Sequence, residues 1–178
     1  MIEFFLYAVL FALAGTYAYA GWQTAPWVPT RKHHVDRAMR LADVKSGTVF
    51  ADLGCGDGRL VHEAARKGAT AHGYEIAIVP LLLAVWRNRR VPNARIHFRS
   101  LWNAELRNVD VVYLFLMPKA AHRIKAKLEQ ELKSGAVVIT YVWPMEGWTA
   151  EEEDALHGEL KLYKYRIDVR GYGVGRGE

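Results

Sequence analysis

Val49-Phe50-Ala51-Asp52-Leu53-Gly54-Cys55-Gly56-Asp57-Gly58-Arg59 reads as a short buried strand running into a glycine-rich turn. A helix opens just after it, at Leu60-Val61-His62-Glu63-Ala64-Ala65. Glycines at alternate positions allow a tight turn and a close approach by a ligand, because no Cβ stands in the way. The following helix directs unpaired N–H groups and a partial positive charge at the same place. The stretch therefore predicts a nucleotide-like ligand at the end of a first strand. It does not match the dinucleotide fingerprint Gly-x-Gly-x-x-Gly, since Arg59 stands where the third glycine belongs. No Gly-Lys-Ser/Thr follows, which excludes a P-loop.

Downstream, the helix stops at Gly68, and Ala69 to Glu75 reads as a second strand ending in an acid. Glu75 lies 17 residues beyond Gly58. That is close to the spacing at which an acid accepts the ribose hydroxyls in nucleotide folds. An apolar helix from Ile78 to Arg89 ends in Arg87, Arg89 and Arg90, cations that suit the negative helix terminus. Further strands are expected over 95–99, 109–116 and 136–143, with a helix over 120–132 ended by Gly135. The apolar run from Val109 to Leu116 is typical of a parallel sheet buried on both faces. Thr149 and Glu152 have the spacing of a capping box for a short helix. Residues 159–169 alternate as a last, antiparallel strand, and 171–178 form a loose glycine-rich tail. Strands alternating with helices give an α/β, Rossmann-like doubly wound and mostly parallel sheet. Ligands of such folds bind at the carboxyl ends of the strands.

Upstream, Pro26 to Thr30 is extended and stiff, and Thr30 can cap a helix over 31–44. His33 and His34 are adjacent on that helix and read as solvated surface. Phe4 to Trp22 carries no charge, and is long enough to cross a hydrocarbon core of ~30 Å. Tyr17, Tyr19 and Trp22 cluster at its far end, as interface aromatics do. Only Glu3 precedes it, so the basic start of a cleaved signal is missing. Arg31, Lys32, Arg37 and Arg40 follow it. The positive-inside tendency then predicts a single-pass membrane protein with the folded domain on the cytoplasmic side. The expected organisation is an anchor over 1–25, a domain over 26–170 and the tail.

Composition adds bounds. Hydrophobic residues make up 51% and charged residues 24% of the 178, as in one folded domain. The net charge of +5 comes without a dense Lys/Arg block, which describes an ordinary basic surface. Cys55 is the single cysteine, so no internal disulfide is available and no cysteine-based metal site is indicated. It reads as a small spacer in the turn, not a nucleophile.

Asp52-Leu53-Gly54-Cys55-Gly56-Asp57-Gly58 resembles the first motif of class I S-adenosylmethionine-dependent methyltransferases, and Glu75 matches the acid ending their second strand. The order Val28-Pro29-Thr30, the glycine stretch, Gly73-Tyr74-Glu75, Leu101-Trp102, Lys127 to Leu132 and Gly147-Trp148-Thr149 narrows the resemblance. It is similar to a lysine methyltransferase family that includes archaeal broad-specificity enzymes. The same family includes the mitochondrial enzymes acting on the adenine nucleotide translocase and the ATP synthase c-subunit. The resemblance implies S-adenosylmethionine held by Thr30, Asp52, Gly54, Cys55, Gly56, Gly58, Glu75, Ser100 and Leu101. Ser100 departs from the family pattern, which has an acid there to meet the adenine amino group. The hydroxyl is a weaker acceptor.

By the same resemblance the methyl acceptor is a protein lysine; a domain tethered to a membrane meets membrane proteins at high effective concentration, which makes the partner a candidate membrane protein. Tyr113, Trp102, Trp143 and Trp148 are the candidates to line an aromatic channel for the amine, with Glu146 the one acid near it. A lipid-headgroup or small-molecule methyltransferase and a non-catalytic assembly factor remain open beside this reading. No nucleic-acid partner is expected, since no Asn-Pro-Pro-Tyr/Phe motif for a flipped-out base is present.

Overall fold

The computed structural model describes residues 1–23, 28–156 and 158–168. The chain opens with α1 (Ile2–Gln23) and α2 (Lys32–Leu41). Then follow β1 (Val49–Leu53), α3 (Arg59–Arg66), β2 (Thr70–Glu75), α4 (Ile78–Asn88) and β3 (Ala94–Phe98). A 3₁₀ turn at Leu101–Asn103 leads to β4 (Val111–Leu114), α5 (Pro118–Glu131) and β5 (Val137–Tyr141). β6 (Glu152–Asp154) and β7 (Leu162–Arg166) end the described fold. Trp27 and the tail lie outside the described residues.

The sheet order is β3-β2-β1-β4-β5-β7-β6. The first five strands pair in parallel, β7 runs antiparallel to β5, and β6 antiparallel to β7. Alternate residues serve two cores, because neighbouring side chains of a strand leave on opposite faces. Val111, Tyr113, Val137 and Ile139 pack with Val35 of α2, Val61 of α3 and Ala84 of α4. Val112, Leu114 and Val138 pack with Ile124 and Leu128 of α5. This is the doubly wound arrangement expected, and its strand order reverses between β1 and β4. The glycine turn leaves β1 at that switch point.

Four local expectations are corrected. Thr149 and Glu152 do not open a helix: residues 152–154 form an edge strand on β7, with Glu152 opposite Lys164. Tertiary pairing overrides the capping pattern there, and charged cross-strand pairs support it, Lys164–Glu152 at 3.6 Å and Arg166–Glu151 at 3.0 Å. Thr30 does not cap α2, whose N-cap is Arg31 without a side-chain bond. β4 ends at Leu114, so Phe115 and Leu116 fall in the loop that follows. His34 is buried, not solvated.

His34 belongs to a polar knot centred on Arg37, a side chain 2% exposed. Arg37 donates to both Asp154 carboxylate oxygens at 3.0 Å, to the Asp154 carbonyl at 2.8 Å and to the Leu160 carbonyl at 3.1 Å. It also lies 3.1 Å from His34 Nδ1. Arginine has only donors, so that nitrogen accepts and Nε2 carries the ring proton. Nε2 faces Glu159 at 3.2 Å, beside His33. Thus no lone pair is left on His34 for a metal, although the three side chains are close enough to hold one. The knot ties α2 to the antiparallel edge.

A second histidine pair bridges β2 and β3, with His72 Nδ1 and His97 Nε2 3.0 Å apart and the rings stacked. One ring must donate and the other accept, so the bond needs at least one neutral ring. Burial, then neighbouring positive charge, lowers both pKa values. Folded values below the unfolded ~6.5 mean the neutral pair contributes stability above that pH, lost as pH falls through the folded values. The thermal midpoint is therefore expected to drop between pH 7 and pH 5. His97→Gln is expected to flatten that slope, measured by circular dichroism melts at the two pH values. An unchanged slope refutes the assignment.

Candidate functional site

A cavity of about 850 Å³, counting its open mouth, lies over the carboxyl ends of β1, β2 and β4. Its floor is the turn after β1. Gly54, Gly56 and Gly58 have φ of +89°, +53° and +70°, a region that side chains rarely adopt. A Cβ at Gly54 would meet nothing within 4 Å. The main chain thus presents itself bare to the cavity. Gly54 and Cys55 both donate to the Tyr74 carbonyl at 3.0 Å, which ties the turn to β2. Contact is also close at Gly73, where a Cβ would stand 2.7 Å from Cys55 Sγ and 2.8 Å from Val61.

Glu75, at the end of β2, is 8% exposed. Its Oε2 accepts from the Gly56 amide at 2.9 Å, and its Oε1 from the Ile76 and Ala77 amides at 2.8 Å each. Three backbone donors fix the carboxylate against the glycine turn. Each oxygen can accept up to two bonds, so capacity remains on Oε2 for a hydroxyl.

Asp52 is buried, and its Oδ2 has no partner. Burial pushes its carboxyl well above the ordinary range, and Glu75 and Asp57 add to the effect. A buried carboxylate left unpaired is costly, so the group calls for a cation. Burial, then the same three acids, also pushes the Cys55 thiol up, as befits a spacer. Asp57 behaves differently. Burial raises its pKa, but hydrogen bonds from Arg59 and the charges of Arg59 and Arg87 outweigh that and hold it low. Arg87 reaches the Asp57 carbonyl at 2.9 Å and its Oδ2 at 2.8 Å. Arg59 bonds the Thr30 carbonyl as well, drawing the chain before α2 over the turn.

Sequence reading gives Asp57, Arg59 and Arg87 no part in the site. The Asp57-x-Arg59 spacing is a visible signal, but Arg87 lies a helix away. Its position at the end of α4 suits the helix dipole equally well.

Of the residues expected in the site, Thr30, Asp52, Gly54, Cys55, Glu75, Ser100, Leu101, Trp102 and Tyr113 line the cavity, as does Gly56. Gly58 is just outside, as the N-cap of α3. Tyr113 is buried with Thr30 beside its hydroxyl, short of hydrogen-bond geometry. Burial and then Asp52 push the phenol well up, so it stays neutral. Trp102 carries the Arg123 guanidinium 4.3 Å over its ring.

Trp143 and Trp148 do not line this cavity. Val142 has φ +73°, a strained value for a β-branched residue, and turns the chain at the end of β5 just before Trp143. Trp148 packs edge-on against Tyr165 and donates to Glu129 at 2.8 Å. Glu146 is exposed and faces His122 at 3.7 Å. The lining includes two residues of α1, Tyr17 and Ala20, which sequence reading assigns to a separate anchor.

The buried Asp52 gives a prediction. Its raised folded pKa means that the stability it contributes is present at low pH and lost as pH rises through that value. Asp52→Asn is thus expected to raise the melting temperature of the cofactor-free protein at pH 8 and to leave it unchanged near pH 4. Scanning fluorimetry at both values checks it, and a destabilised variant at pH 8 refutes it.

Residues 52–152 match the family model described as the ANTKMT methyltransferase domain. A protein-lysine N-methyltransferase of Saccharolobus islandicus is 33% identical over 132 residues, 71% of this chain and 82% of that protein. The human lysine N-methyltransferase of the ATP synthase c-subunit is 31% identical over 131 residues. That match covers 71% of this chain, which spans 55% of the human protein's length. Among solved structures, an RNA methyltransferase of Salinibacter ruber in complex with S-adenosyl-L-homocysteine superposes with a TM-score of 0.75. It is 33% identical and covers 79% of this chain and 94% of its own.

Proposed function

The chain belongs to the methyltransferase family described by the ANTKMT domain, and from that membership we propose that it methylates protein lysines at a membrane. The observation that carries the cofactor assignment is the pairing, in one cavity, of a backbone-fixed Glu75 with a buried, unpartnered Asp52. S-adenosylmethionine carries an ammonium and two ribose hydroxyls, and when bound it supplies an electrophilic methyl on a sulfonium sulfur. Asp52 would hold the ammonium, which answers its missing partner. Glu75 Oε2 would accept a ribose hydroxyl, and the bare turn at Gly54 and Gly56 would admit the chain between ribose and ammonium. Ser100 and Leu101, also in the lining, would meet the base.

A lysine can attack only as the neutral amine, which at pH 7 costs about 4.6 kcal/mol from a pKa near 10.4. Tyr113 and Trp102 supply neutral, apolar surroundings that disfavour the ammonium form. The phenol of Tyr113, held protonated by burial, can orient the amine by a hydrogen bond but does not act as a base. The remaining contribution is alignment of the amine behind the methyl.

The acceptor is read as a membrane protein because α1 is apolar and exposed over a length that can cross a bilayer. In this reading α1 spans the membrane once, with the domain on the cytoplasmic side. A second reading is favoured by the Salinibacter neighbour, which is named as an RNA methyltransferase. Both are tested by incubating the full chain with methyl-labelled S-adenosylmethionine, cell membranes and total RNA. Label recovered as methyl-lysine after protein hydrolysis is the expected result. Label confined to RNA or to the lipid extract overturns it.

A further inference from the structure

Helix α4 has its amphipathicity reversed. The residues it buries are small or polar: Pro80, Ala84 and Asn88. Asn88 donates to the Gly58 and Ala84 carbonyls, and the helix passes so close to the turn that a Cβ at Gly58 would lie 2.9 Å from Ala84 Cβ. The large apolar residues Val79, Leu82, Leu83 and Trp86 point outward, with Leu82 61% and Trp86 65% exposed. Their spacing of i, i+3, i+4, i+7 makes one continuous stripe of the kind a helix turns toward an apolar medium. In water a stripe of this size marks an interaction surface.

Three observations identify the medium. The stripe adjoins α1, which packs on α4 and whose apolar span is exposed over most of its length. Its end carries Arg89 and Arg90, both exposed, with the Arg89 guanidinium 4.5 Å over the Trp86 ring. A tryptophan with arginines beside an aliphatic stripe suits the boundary between acyl chains and anionic phosphates. Finally, Ile76 and Ala77, which lead into α4, and Tyr17 and Ala20 of α1 all line the cavity.

We propose that α4 is a second membrane-binding element. Its outer stripe enters the interface of an anionic bilayer beside α1, with Arg89 and Arg90 at the phosphates, and holds the cavity mouth at the lipid surface. The acceptor amine is then one presented within the headgroup layer, out of reach of lysines far from the membrane. This rests on α1 being the anchor, and the test separates the two.

The full chain is prepared as Leu82→Cys, Phe11→Cys or Ala126→Cys and labelled with the environment-sensitive fluorophore NBD. Native Cys55 is buried and should take no label. Phe11 lies mid-way along α1, and Ala126 is exposed on α5, across the sheet. Melting curves must match the unsubstituted chain. In vesicles of phosphatidylcholine and phosphatidylglycerol, labels at 11 and 82 are expected to shift to the blue and lose intensity to doxyl-labelled lipids. The label at 126 should do neither. Quenching at 11 without quenching at 82 leaves the anchor standing and overturns the proposal. Quenching at 82 without quenching at 11 removes the spanning helix but supports interfacial docking by α4. A label at 82 that is shielded without lipid quenching, with concentration-dependent 82–82 disulfides, assigns the stripe to a second copy and also overturns the proposal.

Discussion

Glu75→Ala is expected to weaken S-adenosylmethionine binding by at least ~10-fold in calorimetric titration while leaving a folded protein. Each hydrogen bond to a charged group contributes about 1.5–3 kcal/mol, so losing the one hydroxyl bond that Oε2 can still accept removes about 1.5–3 kcal/mol. Tenfold in affinity is about 1.4 kcal/mol, which sets the lower bound. A further loss comes from the cavity floor, since the Gly56, Ile76 and Ala77 amides lose their acceptor together. Glu75→Gln keeps one acceptor oxygen and should fall between the variant and the unsubstituted chain. Circular dichroism must show the sheet intact. Unchanged affinity in the alanine variant would remove Glu75 from the site and with it the assignment of the cavity.

The largest stability loss is expected at Asp154, far from that cavity. Asp154→Ala strips Arg37 of two of its acceptors while the guanidinium stays buried. Leaving one buried charge of a pair uncompensated costs about 3–5 kcal/mol. Three carbonyl and ring acceptors persist, so the lower end applies, a fall of about 6–12 °C in the melting midpoint for a chain of this size. Replacing both partners with apolar residues, Arg37→Met with Asp154→Leu, should lose less than Asp154→Ala alone, because no charge is then stranded. Arg37→Lys should not preserve stability, since an ammonium cannot reproduce the planar fork. A change of under ~1 kcal/mol in Asp154→Ala would mean that water replaces the carboxylate, and the knot would lose its role in securing the edge strands.

Asp154 also shows where sequence reading fails. Thr149-x-x-Glu152 is a sound local signal for a helix start, yet the segment is a strand. Its conformation is decided by β7 and by Arg37, which is 117 residues away. His34 escapes for the same reason. Adjacent histidines on a helix look equivalent in sequence, yet here both rings turn toward Glu159 with their centroids 4.0 Å apart, and which one is buried depends on what the helix packs against. Residue type alone puts Trp143 and Trp148 in the channel. Aromatic rings serve packing and binding equally well, and only the turn at Val142 and the Glu129 bond separate the two uses here.

The parallel α/β order, the glycine turn and the acid that ends β2 are all legible in the chain before it folds. Those features depend on short-range rules: period of burial, absence of a Cβ, and the number of residues between one strand end and the next. Equally legible is that Phe4 to Trp22 is apolar enough for a bilayer. Packing in three dimensions was needed to leave Asp52 without a partner, to clamp Asp57 with Arg87, and to bring Tyr17 and Ala20 into the cavity wall. It was needed, too, to turn the small residues of α4 inward. The stripe in α4 looks, in sequence, like any core-facing helix, because periodicity states that one face is apolar without stating which way it points. The direction is set by the glycine turn, which admits only Ala84 and Asn88 beneath it and leaves the large side chains outside.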